Sequence, residues 1–335
     1  MAVTAKELAK ILGISQAAVS IALNNRPGVS EDTRKRVVAA AREYGYTSAN
    51  THAKESKPKV ISFVLYKKQE GIIIDNTPFF SALTEGVAVC CRENGFSLDM
   101  RYIYESANVA SDIEDIVASG VSGIILLATE MRAEDFDAFK KISIPMVVLD
   151  TYFENISTDC VLINNIQGAY LAAETLIRKR GTQPGYLRSS YMIGNFEERA
   201  DGFYKAIRSN NMSTSKSVVH LLKPTVNGAH DDMCAILDSG AETADCYFAD
   251  NDMIAVGAML AFKEHGYEIP RDVAIIGFDN AYPENLIKPA LTTIDVPKQA
   301  MARLAVERLI KVMSEVQNVS LKIQVMTSLI ERDSL

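Results

Sequence analysis

The sequence predicts an N-terminal three-helix headpiece of the helix-turn-helix type, followed by an α/β body of two lobes, each a doubly wound parallel sheet. Three observations support this fold class. Helical spacing is interrupted by a glycine turn near the start, two later series alternate strand and helix patterns, and the charge changes sign between the two parts. The chain has 335 residues, which suits a small headpiece with two larger lobes better than one ordinary domain.

The first two predicted helices are short and lie on either side of a glycine. Apolar residues recur at helical spacing in both: Leu8, Ile11 and Leu12 in the first, Val19 and Leu23 in the second. Gly13 can adopt the left-handed conformation that ends a helix, and Ser15 can cap the next helix. Two short amphipathic helices joined by such a turn predict a helix-turn-helix motif.

A third helix is predicted from Ser30 to about Tyr44. Ser30 supplies an N-cap, the next two residues are acidic, and Gly45 ends the helix. Its apolar stripe consists of Val37, Ala41 and Tyr44. Because helices this short are not stable alone, the three are expected to pack together.

The charge of the chain is distributed unevenly. Residues 1–60 contain ten Lys or Arg and five Asp or Glu, a net charge of +5, whereas the whole chain carries −7. The remaining residues therefore carry −12. A basic headpiece on an acidic body is typical of a protein that presents one end to nucleic-acid phosphates, and it disfavours an ordinary helical bundle without a DNA role.

From Val60 onward the pattern becomes an alternation of strands and helices. The first series of predicted strands covers 60–66, 96–103, 123–129 and 145–151, and the second covers 161–165, 185–190, 218–222, 246–250 and 273–279. Helices are predicted to begin near Phe79, Val109, Ala133, Gln167, Phe196, Val226 and Asn251. A strand at 292–296, a helix at 297–316 and a last strand at 322–332 follow. Repeated strand–helix–strand units indicate parallel sheets with helices on both faces.

The first 46 residues resemble the headpiece of the lac-repressor family of transcriptional regulators. The shared residues are Ser15, Val19-Ser20, Leu23-Asn24, Val29-Ser30, Thr33-Arg34, Val37 and Gly45-Tyr46. The resemblance implies that the second helix lies in the major groove of operator DNA. It further implies that Gln16, Ala17 and Ile21 face bases, and that Thr4, Ser15, Ser20, Asn24 and Arg34 contact phosphates. Gln16 could bond adenine through two hydrogen bonds, whereas Ile21 departs from the arginine that the family usually has there.

The polar segment 47–59 corresponds to the hinge of that family, which forms a short helix on operator DNA and inserts a leucine into the minor groove. Here Ser48 stands where the family has proline, and Glu55 falls near the leucine position. These two departures weaken the expectation that the hinge helix forms.

The body resembles the periplasmic-binding-protein fold of lac-type repressors. The matching segments are 78–80, 161–165, 198–203, 269–280, 291–297 and 328–334. The resemblance implies that the chain crosses between lobes three times. It divides the chain into a headpiece at 1–46, a hinge at 47–59, a first lobe at 60–161 and 292–321, and a second lobe at 162–291 and 322–335.

Polar residues at the ends of predicted strands indicate a binding cleft between the lobes, because ligands of doubly wound sheets bind at the carboxyl ends of strands. These residues are Tyr66, Thr129, Asp150, Asp250, Asn251 and Asp279. The family resemblance adds Arg199 as a ligand-clasping residue, and Phe79 and Phe80 are aromatic candidates. An Asp at a strand end can also simply form a turn, and Arg199 can also be a solvated surface charge. The segment 67–77 could either form one lip of the cleft or pack on the surface of the first lobe.

Several other function classes find no support in the sequence. It contains no dinucleotide-binding, Walker-type or nucleophile-elbow motif, so no enzyme activity and no cofactor are predicted. The five cysteines are interpreted as buried free thiols, and no metal site is predicted from the spacing of Cys and His. No apolar run approaches the length of a membrane span and no signal segment is seen, which predicts a cytoplasmic protein.

Together these observations predict a ligand-responsive transcriptional repressor that binds a palindromic operator. A homodimer is expected, because one headpiece makes few contacts and no leucine heptad follows the last strand. A sugar or sugar derivative is the preferred effector, since mixed Asp, Asn, Arg and aromatic side chains suit a hydroxyl-rich ring. A purine or nucleoside and a phosphoprotein co-repressor are alternatives for the effector, and a solute-binding protein is the alternative from another class.

Overall fold

The computed structural model describes residues 3–23, 28–44, 59–69, 71–74, 77–106, 108–281, 288–315 and 319–335. The chain divides into two units, a headpiece unit of residues 1–58 and a body unit of residues 59–335.

The described part of the headpiece contains three helices, α1 (Ala5–Leu12), α2 (Gln16–Leu23) and α3 (Glu31–Glu43). Gly13 ends α1 in the left-handed conformation, with φ of 65°, and donates its N–H to the Ala9 carbonyl. Ser15 begins α2, because its Oγ accepts a hydrogen bond from the Ala18 N–H at 3.1 Å. The three helices share one small core of Leu8, Ala9, Val19, Ala22, Val37 and Ala40. The predicted helix-turn-helix architecture is therefore present.

Two residues predicted for that core lie on the surface instead. Ile11 is 49% exposed and Tyr44 is 42% exposed. The residues that reach the core are Leu8 and Ala9 from α1 and Val37 and Ala40 from α3, so the inward side of each helix does not include Ile11 or Tyr44. Helical spacing alone does not show which of several apolar residues reaches the centre.

The described body residues form two six-stranded sheets. The strands are β1 (Val60–Lys67), β2 (Ser97–Tyr104), β3 (Gly123–Leu127), β4 (Met146–Leu149), β5 (Asp159–Ile163), β6 (Gly185–Ser189), β7 (Val219–Leu222), β8 (Cys246–Ala249), β9 (Ala274–Asp279), β10 (Thr292–Asp295), β11 (Lys322–Val325) and β12 (Ser328–Ile330). The first sheet has the order β11-β5-β4-β3-β1-β2 and the second has the order β12-β10-β9-β8-β6-β7. Within these sheets the pairing is parallel except between β10 and β12.

Helices cover both faces of each sheet. They are α4 (Pro78–Glu93), α5 (Val109–Ala118), α6 (Asn165–Arg180), α7 (Gly194–Ser209), α8 (Val226–Asp238), α9 (Asp252–Glu264) and α10 (Lys298–Ser314). On the first sheet, α4 and α10 pack on one face and α5 packs on the other; on the second, α6 pairs with α7 and α8 pairs with α9. The helix predicted near Ala133 is a 3-10 stretch, Asp135–Lys141. Because the strands are covered on both faces, most read as continuous apolar runs.

The chain passes between the two sheets three times, as the family resemblance implies. The passages run from β5 to α6, from β10 to α10, and from β11 to β12. Each passage lies at the same end of the body, where the carboxyl ends of β5, β10 and β11 leave the sheets. These strand ends therefore border the space between the lobes.

The predicted lobe boundaries need correction at three places. Residues 292–295 belong to the second sheet, residues 322–325 belong to the first, and β5 keeps the chain in the first sheet as far as Ile163. The single strand predicted at 322–332 is two strands on different sheets. Thr327, which is buried between them, donates its hydroxyl to Gln167 Oε1 at 2.7 Å and so fixes the break. An apolar pattern that continues through the passage cannot reveal it.

Candidate functional sites

Helix α2 presents a polar side to solvent. Gln16, Ala17 and Ser20 are exposed, whereas Val19 and Ala22 on the other side are buried. Ile21, also among the predicted base-facing residues, is half-buried. The exposed side chains leave α2 free to enter a major groove, which is wide enough for one helix.

Two residues predicted to contact phosphates also hold the headpiece together. Thr4 caps α1, accepting from the Glu7 N–H at 3.3 Å while the Thr4 N–H donates to the Glu7 carboxylate at 2.7 Å. Arg34 donates from Nη1 to the Ala22 carbonyl at 3.3 Å and so ties α3 to the last turn of α2. Ser15, the cap of α2, is exposed. Asn24 and the hinge departures Ser48 and Glu55 lie outside the described residues.

A cavity lies between the two lobes of the body, at the carboxyl ends of the strands. Its empty space is about 460 Å³ when the part open to solvent is included. Seven of the nine predicted effector residues line it: Phe79, Phe80, Thr129, Asp150, Arg199, Asn251 and Asp279. The first four come from the first lobe and the other three from the second, so both lobes contribute polar and aromatic side chains.

Arg199 lies on the second-lobe side of the cavity and is only 3% exposed. Its Nε donates to Asn165 Oδ1 at 2.9 Å, its Nη2 donates to Asp279 Oδ1 at 3.1 Å, and its Nη1 donates to the Asp250 carbonyl. The guanidinium carbon lies 3.7 Å from the centre of the Phe278 ring, a close cation–π contact. These bonds use three of the five guanidinium N–H groups and fix the orientation of the rest.

Buried carboxyl groups gather around the cavity. The pKa of Asp150 and that of Asp252 are each raised to about 7, mainly by burial and in part by the nearby Asp279 charge. Burial also raises the pKa of Asp279, against the lowering effects of the Arg199 and Lys298 charges. With three carboxyl groups and few cations, the cavity favours neutral or hydrogen-donating ligands over anions.

Two buried polar atoms in the cavity wall have no hydrogen-bond partner among the described residues. They are Oδ1 of Asp150 and the hydroxyl oxygen of Thr77. The other carboxylate oxygen of Asp150 accepts from the Thr129 hydroxyl at 2.7 Å, and Asp150 itself has a left-handed backbone, with φ of 68°. Buried polar atoms normally have partners, so each of these two atoms has the capacity to bond a water molecule or a ligand.

Tyr66 and Asp250 do not line the cavity. The Tyr66 ring, 2% exposed, packs edge-on to Phe139 in the core on the α5 side of the first sheet. The Asp250 carboxylate is fully buried behind the cavity wall, where it accepts from the Tyr186 hydroxyl and from the Ser189 N–H at 2.6 Å. Alternation along the strand sends the Tyr66 side chain to the other face, and the turn after β8 directs Asp250 back into the sheet.

Four polar or aromatic wall residues were missing from the sequence prediction: Thr77, Asn195, Phe196 and Asp252. Asn195 and Phe196 lie four and three residues before Arg199 on α7, so helical spacing could have placed them on the same face. Asp252 directly follows Asn251, which caps α9 by accepting from the Ile254 N–H at 2.9 Å. Thr77 precedes the proline that begins α4.

The segment after β1 forms one lip of the cavity, which resolves the two alternatives for it. Ile73 lines the cavity and is 7% exposed. Glu130 holds this segment, accepting from the Ile73 N–H at 2.9 Å and from the Lys68 N–H at 3.1 Å. A side chain at Gly71 would place its Cβ 2.0 Å from Glu130 Oε2. A larger residue at position 71 would therefore force the Glu130 carboxylate to move.

Lys298, at the start of α10, connects the two lobes. Its Nζ donates to the Asp279 carbonyl at 2.5 Å and to the Val296 carbonyl at 3.1 Å. The same Nζ lies 5.6 Å from the centre of the Phe79 ring. The Lys298 ammonium group therefore contacts both walls of the cavity, through the Asp279 backbone on one side and the Phe79 ring on the other.

Two family descriptions match separate parts of the chain. Residues 4–48 match "Bacterial regulatory proteins, lacI family", and residues 173–335 match "Periplasmic binding protein-like domain". Together they identify a lac-repressor family DNA-binding domain at the N-terminus, followed by a periplasmic-binding-protein-like domain.

The relatives in this family are transcriptional regulators. The chain is 27% identical over 309 residues to the HTH-type transcriptional regulator GalR of Escherichia coli, covering 91% of this chain and 87% of GalR. It is 28% identical over 316 residues to the HTH-type transcriptional repressor PurR of Mannheimia succiniciproducens, covering 93% of this chain and 91% of PurR. These relatives are DNA-binding transcriptional regulators, which supports the same role for this chain rather than an enzyme activity.

Solved structures share the fold of the whole chain. The regulator CelR in complex with cellobiose has a TM-score of 0.72 at 22% identity and covers 99% of both chains. A lac-repressor family regulator from Enterococcus faecium with bound ribose has a TM-score of 0.69 at 24% identity, covering 82% of this chain and 98% of its own. In the part of this chain that the structure describes, no helix is long and apolar enough to span a membrane.

Proposed function

We propose that this lac-repressor family member is a cytoplasmic repressor that binds a two-fold symmetric operator as a homodimer. Its operator affinity changes when a sugar or sugar derivative binds between the lobes of the body. The observation that carries this proposal is the interlobe cavity, in which the unpartnered Asp150 Oδ1 and Thr77 hydroxyl face a wall that includes Phe79 and Phe80.

A neutral polyhydroxyl ring fits this wall by its chemistry. Its hydroxyls can donate to Asp150 Oδ1 and exchange hydrogen bonds with Thr77, and its apolar face can pack on an aromatic side chain. The carboxyl groups around the cavity disfavour a phosphorylated ligand, because two anions would be buried together. Structural relatives bound to cellobiose and to ribose support the same ligand class. A nucleoside is the second candidate, since Phe79 and Phe80 could stack on a base.

The exposed edges of the two sheets support a homodimer. Edge strand β2 exposes Met100, Tyr102 and Tyr104, between 43% and 53%, and edge strand β7 exposes Leu221 at 60%. These strands hold equivalent positions in the two sheets. Apolar residues in line on a sheet edge favour association with a second copy of the same surface.

Calorimetric titration of the full chain with neutral sugars, sugar phosphates and nucleosides tests the effector class. A neutral sugar should bind, and its phosphate ester should bind at least tenfold more weakly. Operator titrations with and without that sugar then test regulation. If a nucleoside binds instead, the second candidate takes its place. If no small molecule binds and a phosphoprotein alters operator affinity, the cavity is not the sensor.

A further inference from the structure

A second group of chemically competent side chains lies far from the cavity, on the outer helices of the second lobe. His230 and Cys234 are four residues apart on α8, and Glu264 is the last residue of α9. One ligand atom from each lies within 4.8 Å of the others. We propose that these three residues form a zinc site that links α8 to α9.

The distances between the three ligand atoms match a tetrahedral zinc centre. His230 Nε2 lies 3.5 Å from Cys234 Sγ and 3.0 Å from Glu264 Oε2, and Sγ lies 4.0 Å from that oxygen. Zinc bonds of about 2.0–2.3 Å at tetrahedral angles separate such ligand atoms by roughly 3.4–3.6 Å. Movements of a few tenths of an ångström would therefore close the three atoms around one ion.

The donor set identifies the metal. A thiolate combined with imidazole and a carboxylate favours Zn²⁺ over Mg²⁺ or Ca²⁺, which prefer oxygen ligands. An ion pair alone would explain why His230 meets Glu264. The Cys234 thiol, one turn further along α8, lies 3.5 Å from the same imidazole nitrogen, so a third donor is available to the same ion.

The other nitrogen of His230 is held in the manner of a metal ligand. Its Nδ1 lies 3.0 Å from Asp231 Oδ1, and a carboxylate in this position fixes the ring orientation of zinc-binding histidines. The group is also accessible, since the Glu264 side chain is 62% exposed and that of His230 is 25% exposed. Water or another donor can complete the fourth position.

The site joins two helices that already pack closely. A Cβ at Gly257 on α9 would lie 2.4 Å from the Val226 carbonyl oxygen on α8, so the backbones touch one turn before His230. Ligands from both helices therefore stand on a rigid base. Zinc bound there would stabilise the outer layer of the second lobe against local opening.

Zinc titration of the full, reduced chain against a chromophoric chelator tests the proposal. Wild type should bind one Zn²⁺ per chain, His230→Ala and Cys234→Ser should each abolish that binding, and Asp231→Asn should weaken it roughly 10- to 100-fold. His265→Ala is the matched control, because the His265 ring also bridges α8 and α9, through Asp238 at 3.1 Å, but has no thiol beside it. Circular dichroism checks that each variant is folded.

Cobalt provides a second readout that a nonspecific surface site would not give. Co²⁺ added to wild type and to His265→Ala should produce a thiolate-to-cobalt charge-transfer band, and Cys234→Ser should lack it. Equal zinc loss in His265→Ala, or zinc affinity unchanged in folded Cys234→Ser, would overturn the proposal. The cluster would then be an ion pair only.

Discussion

Asp150 combines three departures from the ordinary state of an aspartate. It is buried at 1% exposure in a left-handed backbone conformation, with one carboxylate oxygen unpartnered. Such a position is unfavourable for the apo protein, and it is retained where a ligand compensates for it. The burial that raises its pKa to about 7 makes the stability of the body depend on pH.

The sign of that dependence follows from the two protonation states. In the unfolded chain an Asp has a pKa of about 3.9, so between pH 4 and 7 the native protein binds more protons than the unfolded chain. The free energy of unfolding therefore falls as pH rises through this window. We expect the melting temperature of the apo protein to fall from pH 5 to pH 7.5. Asp150→Asn, which cannot ionise, should show a shallower fall.

Differential scanning calorimetry of both proteins across that range measures the effect. Asp137→Asn is the control, since the Asp137 side chain is 68% exposed, and it should keep the wild-type slope. Parallel slopes for Asp150→Asn and wild type would show that Asp150 stays ionised in the native protein.

Gln16 and Arg34 are expected to affect DNA binding in different ways. Gln16 is exposed on α2, so Gln16→Ala should cost about 1–3 kcal/mol at one base pair of each half-site and relax the preference there. Arg34 holds the Ala22 carbonyl, so Arg34→Ala should weaken binding to all sequences and also lower headpiece stability. Binding to randomised half-sites, followed by fluorescence anisotropy, separates these outcomes. Lys35→Ala, exposed on α3, is the control for loss of charge alone.

At the scale of elements, Gly71 allows the segment after β1 to pack against Glu130 and so to line the cavity. Gly71→Ala should displace Glu130 and with it Ile73. Losing roughly half of the 1.5–3 kcal/mol that a buried isoleucine contributes corresponds to roughly 3- to 13-fold weaker effector binding. Operator affinity without effector should not change.

Gly194→Ala provides a matched glycine control for the lip, because the nearest atom to its Cβ would be Thr151 Oγ1 at 4.0 Å. Calorimetric titration of both variants with the effector measures the difference. If Gly71→Ala binds effector as tightly as Gly194→Ala, Ile73 does not contact the ligand.

Elements were predictable from the sequence where local pattern determines them. Capping by Ser15, the left-handed Gly13 and the apolar runs of most strands depend on neighbours in the chain. The split between β11 and β12 was missed, because it depends on Thr327 bonding Gln167, 160 residues away. The buried position of the Asp250 carboxylate was missed for the same reason, because it depends on a hydrogen bond from Tyr186, 64 residues away.

At the scale of the whole molecule, the edge strands β2 and β7 predict how copies associate. Tyr102→Glu would place a carboxylate in the β2 edge and should dissociate the homodimer at micromolar concentration. Sedimentation velocity measures this, with Val117→Glu, a similarly exposed position on α5 at 43%, as control. A monomeric wild type, or dimers equally weakened by Val117→Glu, would contradict the assignment of this surface.

Regulation depends on both lobes contacting one ligand. Asp150 lies on the first lobe and Asp279 on the second, so a ligand bonded to both favours one lobe arrangement only through contacts that differ between arrangements. We expect the effector to change wild-type operator affinity roughly 5- to 150-fold, a coupling of about 1–3 kcal/mol. Asp150→Asn and Asp279→Asn keep the side-chain shapes, and each should lose most of that response at an effector concentration that saturates wild type.

Equilibrium operator titrations with and without effector decide between this mechanism and its alternatives. Without effector, both variants should bind operator as wild type does, because both residues belong to the body unit. Asp272→Asn, at a partly exposed position in the same lobe as Asp279, should respond normally. If a variant binds effector with wild-type affinity but its operator affinity no longer changes, the substituted residue acts in the lobe rearrangement and not in ligand binding. If both variants respond as wild type does, the response does not originate in the cavity, and a protein partner becomes the better explanation.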